Sequence, residues 1–434
     1  MKQVNVGIIG FGTVGAGTAE ILLKNRDIIC KRAGIDICLK KIADLDLETD
    51  RGIDLSSGVL TRNASELIED PEIDIIVELI GGMTVARDFI FKALENKKHV
   101  VTANKALLAE HGAGLFSAAN NNGVTLGFEA SVGGGMPVIG ALREGLAANN
   151  TRTIIGILNG TSNYILTRMA KDGLPYQDAV NGAIELGYAE DPPTLDVDGT
   201  DAAHKLALLI SVAFGVPAPF EDIYREGIDR LTQDDIRFAD EFGYCLKLLT
   251  VAKDLGSEVE ARVHPAMLPK GHILSNVNDA FNAVFIEGDF VGPTLYYGQG
   301  AGRKPTGSAV VSDIMEIAKK IKTGISIPSP ALGFYDVSGQ SVKIQPMDSL
   351  KTAYYFRFSA IDKPGVLSKI AGILGEKNIS ISSVIQKGRE TDGAVPIVML
   401  THEAVERDVT EALELIDKLD ILKDRTMMIR VEQG

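Results

Sequence analysis

The chain has 434 residues and a formal net charge of −14 at pH 7. A chain of this length is too long for one hydrophobic core, so two or three domains are expected. The acidic balance, without a basic cluster, argues against nucleic acid as a partner, and no apolar stretch is long enough to span a bilayer.

The cysteines and histidines predict neither a disulfide framework nor a zinc site. Cys30, Cys38 and Cys245 have no CxxC spacing, and the six histidines form no HExxH or HxxxH pair. A β-branched run starts at Val4, which leaves no room for a signal peptide. We therefore expect reduced cysteines and a cytoplasmic location.

The most informative segment follows the first predicted strand, Val4 to Ile9. Three glycines come next and a helix is predicted over 18–24, which is the order of a loop that binds pyrophosphate at a helix N-terminus. Glycine loops also cap helices for purely structural reasons, but this placement favours dinucleotide binding. The predicted cofactor-binding residues of the loop are Gly10, Phe11, Gly12, Thr13, Val14 and Gly15.

Strands and helices alternate through the first 128 residues. The predicted strands are 35–43, 74–80, 98–102 and 123–128, and the predicted helices are 84–96 and 105–120. This alternation predicts an α/β fold with a Rossmann-type, doubly wound parallel sheet. Asp44 ends the second strand. An acid at this position accepts a hydrogen bond from the ribose 2′-hydroxyl of NAD and repels the 2′-phosphate of NADP. The pattern favours NAD over NADP, although the positively charged residues Lys40 and Lys41 lie close by.

The middle of the chain mixes both kinds of element. Gly133, Gly134 and Gly135 precede a methionine and a proline, which predicts a hinge into a second, α+β domain. The predicted elements are a strand over 154–158, helices over 164–171, 201–214, 242–251 and 308–320, and short strands within 260–295. Cys245 falls in the predicted helix 242–251. A second glycine loop covers 298–302, and scattered proline, glycine and serine predict a linker over 322–350.

The C-terminal block has the order βαββαβ. The predicted strands are 354–360, 379–385, 395–400 and 426–431, and the predicted helices are 362–377 and 403–418. This order makes a compact four-stranded unit with two helices. No part of the block has a catalytic pattern.

Candidate catalytic groups gather between Gly187 and Lys205, where several carboxylates precede a lysine. Asp201 and Lys205 are four residues apart at the start of a helix and share one face. They are either an ordinary surface pair or, because the helix behind them is strongly apolar, a partly buried acid–base pair. Lys105 follows a strand at the sheet edge where nucleotides bind. A lysine at a helix N-terminus is poorly placed for the helix dipole, which favours a functional role.

Five motifs together resemble homoserine dehydrogenase, in its monofunctional form with a C-terminal ACT domain. They are Gly10-Phe-Gly-Thr-Val-Gly15, Thr102-Ala-Asn-Lys105, Glu129-Ala-Ser-Val-Gly-Gly-Gly135, Asn159-Gly-Thr-Ser-Asn-Tyr164 and the segment from Gly187 to Lys205. The resemblance covers the whole chain, since the block from 351 resembles an ACT domain with Asp362-Lys-Pro-Gly-Val-Leu367 as its loop.

The resemblance implies NAD(P)-dependent interconversion of L-homoserine and L-aspartate 4-semialdehyde in threonine and methionine biosynthesis. Lys205 is the implied proton donor and acceptor. The implied catalytic residues are Lys205, Lys105 and Asp201, the substrate-binding residues are Glu190, Asp196 and Thr161, and Lys105 and Gly302 join the cofactor site.

The resemblance also implies further ligands and partners. The implied sodium ligands are Glu129, Val132, Gly134 and Met136, and the implied effector-site residues are Asp362, Gly365 and Val366. Threonine is the expected effector and a homodimer or homotetramer the expected assembly. A hinge without metal and an unliganded dimerisation module remain open alternatives. If regulation occurs, deleting the residues after about 350 should leave an active enzyme that ignores threonine.

The expected division is a dinucleotide-binding domain over 1–128, completed by 303–321, a catalytic and dimerisation domain over 129–302, a linker over 322–350 and an ACT regulatory domain over 351–434. Two other classes compete. A Rossmann-type aldehyde dehydrogenase that acts through a thioester needs a nucleophilic cysteine near the nicotinamide, where none is expected. An inactive nucleotide or amino-acid sensor is opposed by the presence of Lys105 and Lys205.

Overall fold

The computed structural model describes residues 3–324, 330–335, 342–386 and 394–433. Parts of the predicted linker, 325–329 and 336–341, lie outside the described residues. The chain divides into two compact units. The first unit is Met1–Ile154, Asp201–Glu221 and Phe281–Val342, and the second is Ile155–Thr200, Asp222–Ala280 and Lys343–Gly434. The domain bounds expected from the sequence remain a prediction.

The first 154 residues alternate strands with helices. In chain order the elements are β1 (Gln3–Ile9), α1 (Thr13–Lys24), α2 (Arg26–Ala33), β2 (Asp36–Ala43), β3 (Leu60–Thr61), α3 (Ala64–Glu69), β4 (Ile75–Glu78), α4 (Thr84–Glu95), β5 (His99–Thr102), α5 (Lys105–Asn122), β6 (Leu126–Gly127), α6 (Val138–Gly140) and the start of β7 (Thr151–Ile157).

Helices come first in the next part of the chain, and long strands follow them. The elements are α7 (Gly160–Asp172), α8 (Tyr176–Glu185), α9 (Thr194–Val197), α10 (Thr200–Phe214), β8 (Tyr224–Arg225), α11 (Gln233–Glu241), β9 (Tyr244–Asp254), β10 (Val259–Pro269), β11 (Phe281–Gly288), β12 (Gly292–Gln299) and α12 (Arg303–Thr323).

The C-terminal block has the βαββαβ order that the sequence predicts, with one additional two-residue strand. Its elements are β13 (Lys351–Ala360), α13 (Val366–Glu376), β14 (Ile381–Gln386), β15 (Val395–Thr401), β16 (Ala404–Val405), α14 (Glu406–Ile416) and β17 (Met427–Val431).

The first unit is built on a six-stranded parallel sheet in the order β3-β2-β1-β4-β5-β6. This order confirms the predicted Rossmann-type fold, whose two halves diverge between β1 and β4. Ile75, Ile76 and Val77 of β4 are fully buried, as expected for a strand covered on both faces. The unit also contains the β11–β12 hairpin and α12.

Glycines bring α12 into close contact with α1. A Cβ on Gly17 would lie 2.0 Å from Arg303 O, and one on Gly307 would lie 2.8 Å from the backbone of Gly17. Only glycine at these two positions lets the helix backbones approach this closely. The start of α12 therefore lies beside the helix that follows the glycine loop.

The second unit contains a mixed sheet that runs in the order β9-β10-β17-β13-β15-β14. The last four strands belong to the C-terminal block and, with α13 and α14, form the predicted four-stranded unit. Strands β10 and β17 pair in parallel through Ala266 with Arg430 and Met267 with Val431. The C-terminal sheet is therefore continuous with β10.

One predicted element is wrong. The sequence predicts a helix over 242–251, but β9 occupies this segment and pairs with β10 along its whole length. Every residue from Leu246 to Ala252 is buried. A strand buried on both faces shows no alternation, so its sequence resembles that of a buried helix. Within the described ranges, no helix combines the length and apolar character that crossing a membrane requires.

Candidate active site

The glycine loop after β1 has the geometry of a phosphate-binding turn. Gly10 has a φ of +103°, and a Cβ on it would lie 2.7 Å from the backbone of Leu79. A Cβ on Gly15 would lie 2.0 Å from Gly10 O, so the loop is tightly folded. A Cβ on Gly12 would have no heavy atom within 4 Å. The N-terminus of α1 has no side-chain cap, so this open space can admit a pyrophosphate.

Two side chains hold the loop at Phe11. Asp44 lies at the end of β2, where it accepts hydrogen bonds from Phe11 N and, at 2.8 Å, from Asp46 N. Arg51 Nε donates to Phe11 O at 2.9 Å, and its guanidinium lies 5.6 Å from the centroid of the Phe11 ring. The Arg51 guanidinium also pairs with Asp46 at 3.0 Å. The sequence indicates Asp44 but not Arg51, which lies in no motif and is far from Phe11 in the chain.

The predicted catalytic residues meet in the first unit. Asp201 and Lys205 lie one turn apart on α10, and Asp201 Oδ2 is 2.7 Å from Lys205 Nζ. Asp201 Oδ1 is 3.2 Å from Nζ of Lys105, the first residue of α5. Asp201 and Lys205 are each only 9% exposed, which rules out an ordinary surface pair. One buried carboxylate therefore bridges two ammonium groups.

A second polar pair joins the same two helices. His204 Nε2 lies 3.3 Å from Glu110 Oε1 on α5, and the His204 ring stacks on Phe220 with centroids 4.3 Å apart. Burial lowers the pKa of His204, with the Glu110 carboxylate acting in the opposite direction. The sequence does not indicate this pair, because no local pattern relates Glu110 to His204.

The predicted substrate-binding residues lie in the second unit. Asn159 caps α7 by accepting from Ser162 N at 2.7 Å, and its Nδ2 donates to Asp196 Oδ1 at 2.6 Å. Thr161 Oγ1 donates to Tyr188 O at 2.6 Å. These bonds attach the segment 188–196 to the start of α7. Glu190, on that segment, is exposed.

The turn implied as a sodium site surrounds a buried carboxylate. Glu129 Oε1 accepts from Ile139 N at 2.9 Å and Oε2 from Gly140 N at 2.6 Å, while Glu129 N donates to Asp313 Oδ2 at 2.8 Å. Burial raises the pKa of Glu129. Gly134 has a φ of +56°, and a Cβ there would lie 2.5 Å from the Gly300 backbone. In the described part of the chain, His, Cys, Asp and Glu side chains form no metal-binding group of three.

Five further residues named in the sequence predictions lie near the start of a helix or in a strand. Gly302, with a φ of +128°, directly precedes α12 in the first unit. Asp362 and Gly365 are exposed before α13, and Val366 begins that helix and is buried. Burial raises the pKa of the Cys245 thiol in β9, which disfavours the thiolate that a thioester mechanism needs.

Family models match the chain in three parts. The NAD binding domain of homoserine dehydrogenase matches residues 10–129, homoserine dehydrogenase matches 137–315 and the ACT domain matches 354–420. The homoserine dehydrogenase of Neisseria gonorrhoeae is 44% identical over 432 residues, which cover 100% of this chain and 99% of that relative.

Solved structures give the same result. The crystal structure of a homoserine dehydrogenase from Thiobacillus denitrificans is 44% identical, with a TM-score of 0.93 and coverage of 100% of this chain and 99% of that one. A hyperthermophilic archaeal homoserine dehydrogenase in complex with NADPH is 28% identical, with a TM-score of 0.62 over 75% of this chain and 99% of its own. Because the similarity at 44% identity extends over the full length, the chain belongs to the homoserine dehydrogenase family, as an NAD(P)-dependent oxidoreductase with a C-terminal ACT domain.

Proposed function

We propose that Lys205, with Asp201 and Lys105 beside it, carries the proton transfer in the interconversion of L-homoserine and L-aspartate 4-semialdehyde. The observation that supports this role is the Asp201 carboxylate, which bridges the two lysines at 2.7 and 3.2 Å. One carboxylate offsets only one of the two positive charges. Two ammonium groups around one carboxylate favour the alkoxide that develops on the substrate oxygen.

Each residue of this cluster has a separate task. Bound NAD(P)H supplies the hydride for reduction. Lys205 gives a proton to the substrate oxygen in reduction and takes it back in oxidation, while Asp201 holds the Lys205 side chain in place. Lys105 stands at the junction of nicotinamide and substrate. Reduction needs a protonated lysine and oxidation a neutral one, so homoserine oxidation is expected to be faster at alkaline pH.

Thr161, Glu190 and Asp196 bind the amino-acid part of the substrate in this proposal. Glu190 is exposed, so its carboxylate is accessible to a substrate ammonium group. Asp196 and Thr161 are held by Asn159 and by the backbone of Tyr188, which gives the segment 188–196 a fixed conformation. A fixed segment binds a small substrate with little loss of conformational entropy.

In this proposal the enzyme prefers NAD to NADP. Asp44 lies against the loop, and the neighbouring residue Leu45 is 84% exposed and offers no charge to a 2′-phosphate. The Arg51 guanidinium is already engaged by Asp46, Thr49 O and Phe11 O. A 2′-phosphate would have to compete with these partners and approach the carboxylate of Asp44.

Two ligands outside the reaction belong to the proposal. Sodium binds at Glu129, Val132, Gly134 and Met136 through backbone carbonyl groups, since both carboxylate oxygens of Glu129 already accept amide hydrogen bonds. Threonine binds at Asp362, Gly365 and Val366 as a feedback inhibitor, with its carboxylate at the uncapped start of α13. A homodimer or homotetramer is the expected assembly.

An initial-rate assay tests these points together. Aspartate 4-semialdehyde is supplied with NADH or NADPH, with and without threonine, in sodium buffer and in a buffer that lacks sodium. We expect turnover, a higher kcat/KM with NADH, and inhibition by threonine. A much higher kcat/KM with NADPH would contradict the cofactor preference alone, and absence of turnover with both cofactors would contradict the reaction.

A further inference from the structure

Glu78 is a fully buried carboxylate at the edge of the parallel sheet. It is the last residue of β4, after Ile75, Ile76 and Val77. Burying a carboxyl group in such an apolar strand costs free energy unless hydrogen bonds satisfy its oxygens. The position at the C-terminal end of β4 belongs to the edge where open α/β sheets bind their ligands.

Both oxygens of Glu78 accept hydrogen bonds, one from the turn after β4 and the other from the end of β5. Oε1 accepts from Ile80 N at 2.9 Å and from Gly81 N at 3.2 Å, in the turn after β4. Oε2 accepts from Thr102 Oγ1 at 2.7 Å, at the end of the neighbouring strand β5. Burial raises the pKa of Glu78, and these hydrogen bonds act in the opposite direction. One side chain thus joins the ends of two adjacent strands.

The hydrogen bonds continue from Thr102 to the start of α5. The Thr102 hydroxyl accepts from Asn104 N at 3.0 Å. Asn104 Nδ2 donates to Gly82 O at 2.7 Å, and its Oδ1 accepts from Leu107 N at 3.2 Å, which caps α5. The next residue, Lys105, begins the helix and pairs with Asp201. Glu78 is therefore connected to Lys105 through Thr102 and Asn104, without contacting the lysine.

We propose that Glu78 is a positioning residue, which acts through Thr102 and Asn104 to fix the first turn of α5 and so the place of the Lys105 ammonium beside Asp201. This inference rests on the proposed role of Lys105 in catalysis. The same hydrogen bonds fix the turn at 80–82, which leaves β4 beside the cofactor edge. A displacement of about 1 Å at a catalytic group can lower a rate by roughly a hundredfold.

The Thr102 hydroxyl is the link to test, because it can be removed with little change of shape. Thr102→Val removes the hydroxyl and Thr102→Ser retains it. We expect Thr102→Val to lower kcat by roughly tenfold to a hundredfold while the Kd for NAD(P)H, read from its fluorescence, stays nearly unchanged. Thr102→Ser should keep most of the wild-type kcat. Thr125→Val, a buried threonine outside these hydrogen bonds, is the matched control and should keep wild-type kcat.

Two measurements separate positioning from a general loss of stability. In a Lys105→Ala background, Thr102→Val should lower kcat no further, because its effect acts through Lys105. Hydrogen exchange of the backbone over 103–108 should be faster in Thr102→Val and unchanged in Thr102→Ser. Unchanged exchange in Thr102→Val, or the same loss of kcat with and without Lys105, would overturn the inference. Exchange needs no turnover, so an inactive wild type would contradict the proposed reaction and leave this test intact.

Discussion

At the scale of single residues, the most specific prediction concerns the effect on kcat of replacing the two lysines that pair with Asp201. We expect Lys205→Ala and Lys105→Ala each to lower kcat by roughly 10²–10⁴-fold, the usual contribution of a positioned acid–base group. The fluorescence-measured Kd for NAD(P)H should change little in Lys205→Ala, because this lysine acts on the substrate oxygen. Lys92→Ala removes an exposed lysine from α4 and should leave kcat unchanged. Most of the wild-type kcat in Lys205→Ala or Lys105→Ala would refute the role of that lysine.

Asp313 gives a prediction about pH and stability. Burial raises the pKa of this carboxyl group from 3.8 to about 8, and the nearby Glu129 carboxylate adds to the effect. Between these pH values the folded protein holds a proton that the unfolded chain has lost. The contribution of Asp313 to the free energy of unfolding is therefore greatest below about pH 4 and is lost as the pH rises toward 8.

The substitution Asp313→Asn removes this titration and keeps a side-chain oxygen that can accept the hydrogen bond from Glu129 N. Urea unfolding at several pH values should show the wild type losing stability relative to Asp313→Asn as the pH rises from 5 to 8. Asp88→Asn, at an exposed position on α4, should show no such trend. A constant difference between wild type and Asp313→Asn would mean that the carboxyl group is not protonated in the folded protein.

At the scale of elements, the contact between α1 and α12 should reverse the usual effect of replacing a helical glycine by alanine. Replacing a glycine inside a helix by alanine usually stabilises it by about 1 kcal/mol. At Gly17 the added Cβ would lie 2.0 Å from Arg303 O, so the helices must separate. We expect Gly17→Ala to lower the free energy of unfolding by about 1–3 kcal/mol, the usual cost of overpacking.

Gly372→Ala in α13 is the matched control, because nothing lies within 4 Å of a Cβ there. This variant should raise the melting temperature of the protein, whereas Gly17→Ala should lower it, both followed by circular dichroism. Equal shifts of the melting temperature in the two variants would show that α1 and α12 are not in the close contact described above.

Elements that follow local rules could be predicted from sequence, and those set by distant partners could not. Apolar runs with glycine or polar ends located β4 and β5 within a few residues. The segment now assigned to β9 contains leucine, lysine and alanine, which are good helix formers, and only its pairing with β10 makes it a strand. The same distinction holds in the site. Asp201 and Lys205 are marked by helical spacing, whereas Arg51, Glu110 and Glu78 reach their partners through the fold.

At the scale of the whole molecule, buried ion pairs join the C-terminal block to the rest of the second unit. Asp235 is fully buried and pairs with Arg357 at 2.6 Å, and Arg262, 2% exposed, pairs with Glu432 at 2.6 Å. Deleting the residues after 350 would remove Arg357 and Glu432 from these two pairs and would also take away β17, which pairs with β10. We therefore expect this deletion to unfold the second unit rather than release an unregulated enzyme.

Circular dichroism and gel filtration of the truncated chain check this expectation, and a folded, active truncation would contradict it.

Regulation is better tested by a point substitution. Asp362→Ala, at an exposed loop position, should weaken inhibition by threonine and leave kcat without threonine unchanged. Inhibition as strong as in the wild type would place the threonine site elsewhere in the chain.

The pairing of β10 with β17 also has a consequence for folding during protein synthesis, because the two strands are made at different times. About 160 residues separate the end of β10 from the start of β17. At 5–20 residues per second, the ribosome needs about 10–30 s to make them. During this time Ala266 and Met267 of the nascent chain lack their β17 partners, and unpaired strand residues invite association with other chains. Strand β17 completes a sheet that begins about 160 residues earlier in the chain, so translational pausing or premature termination in this interval should favour aggregation and proteolysis.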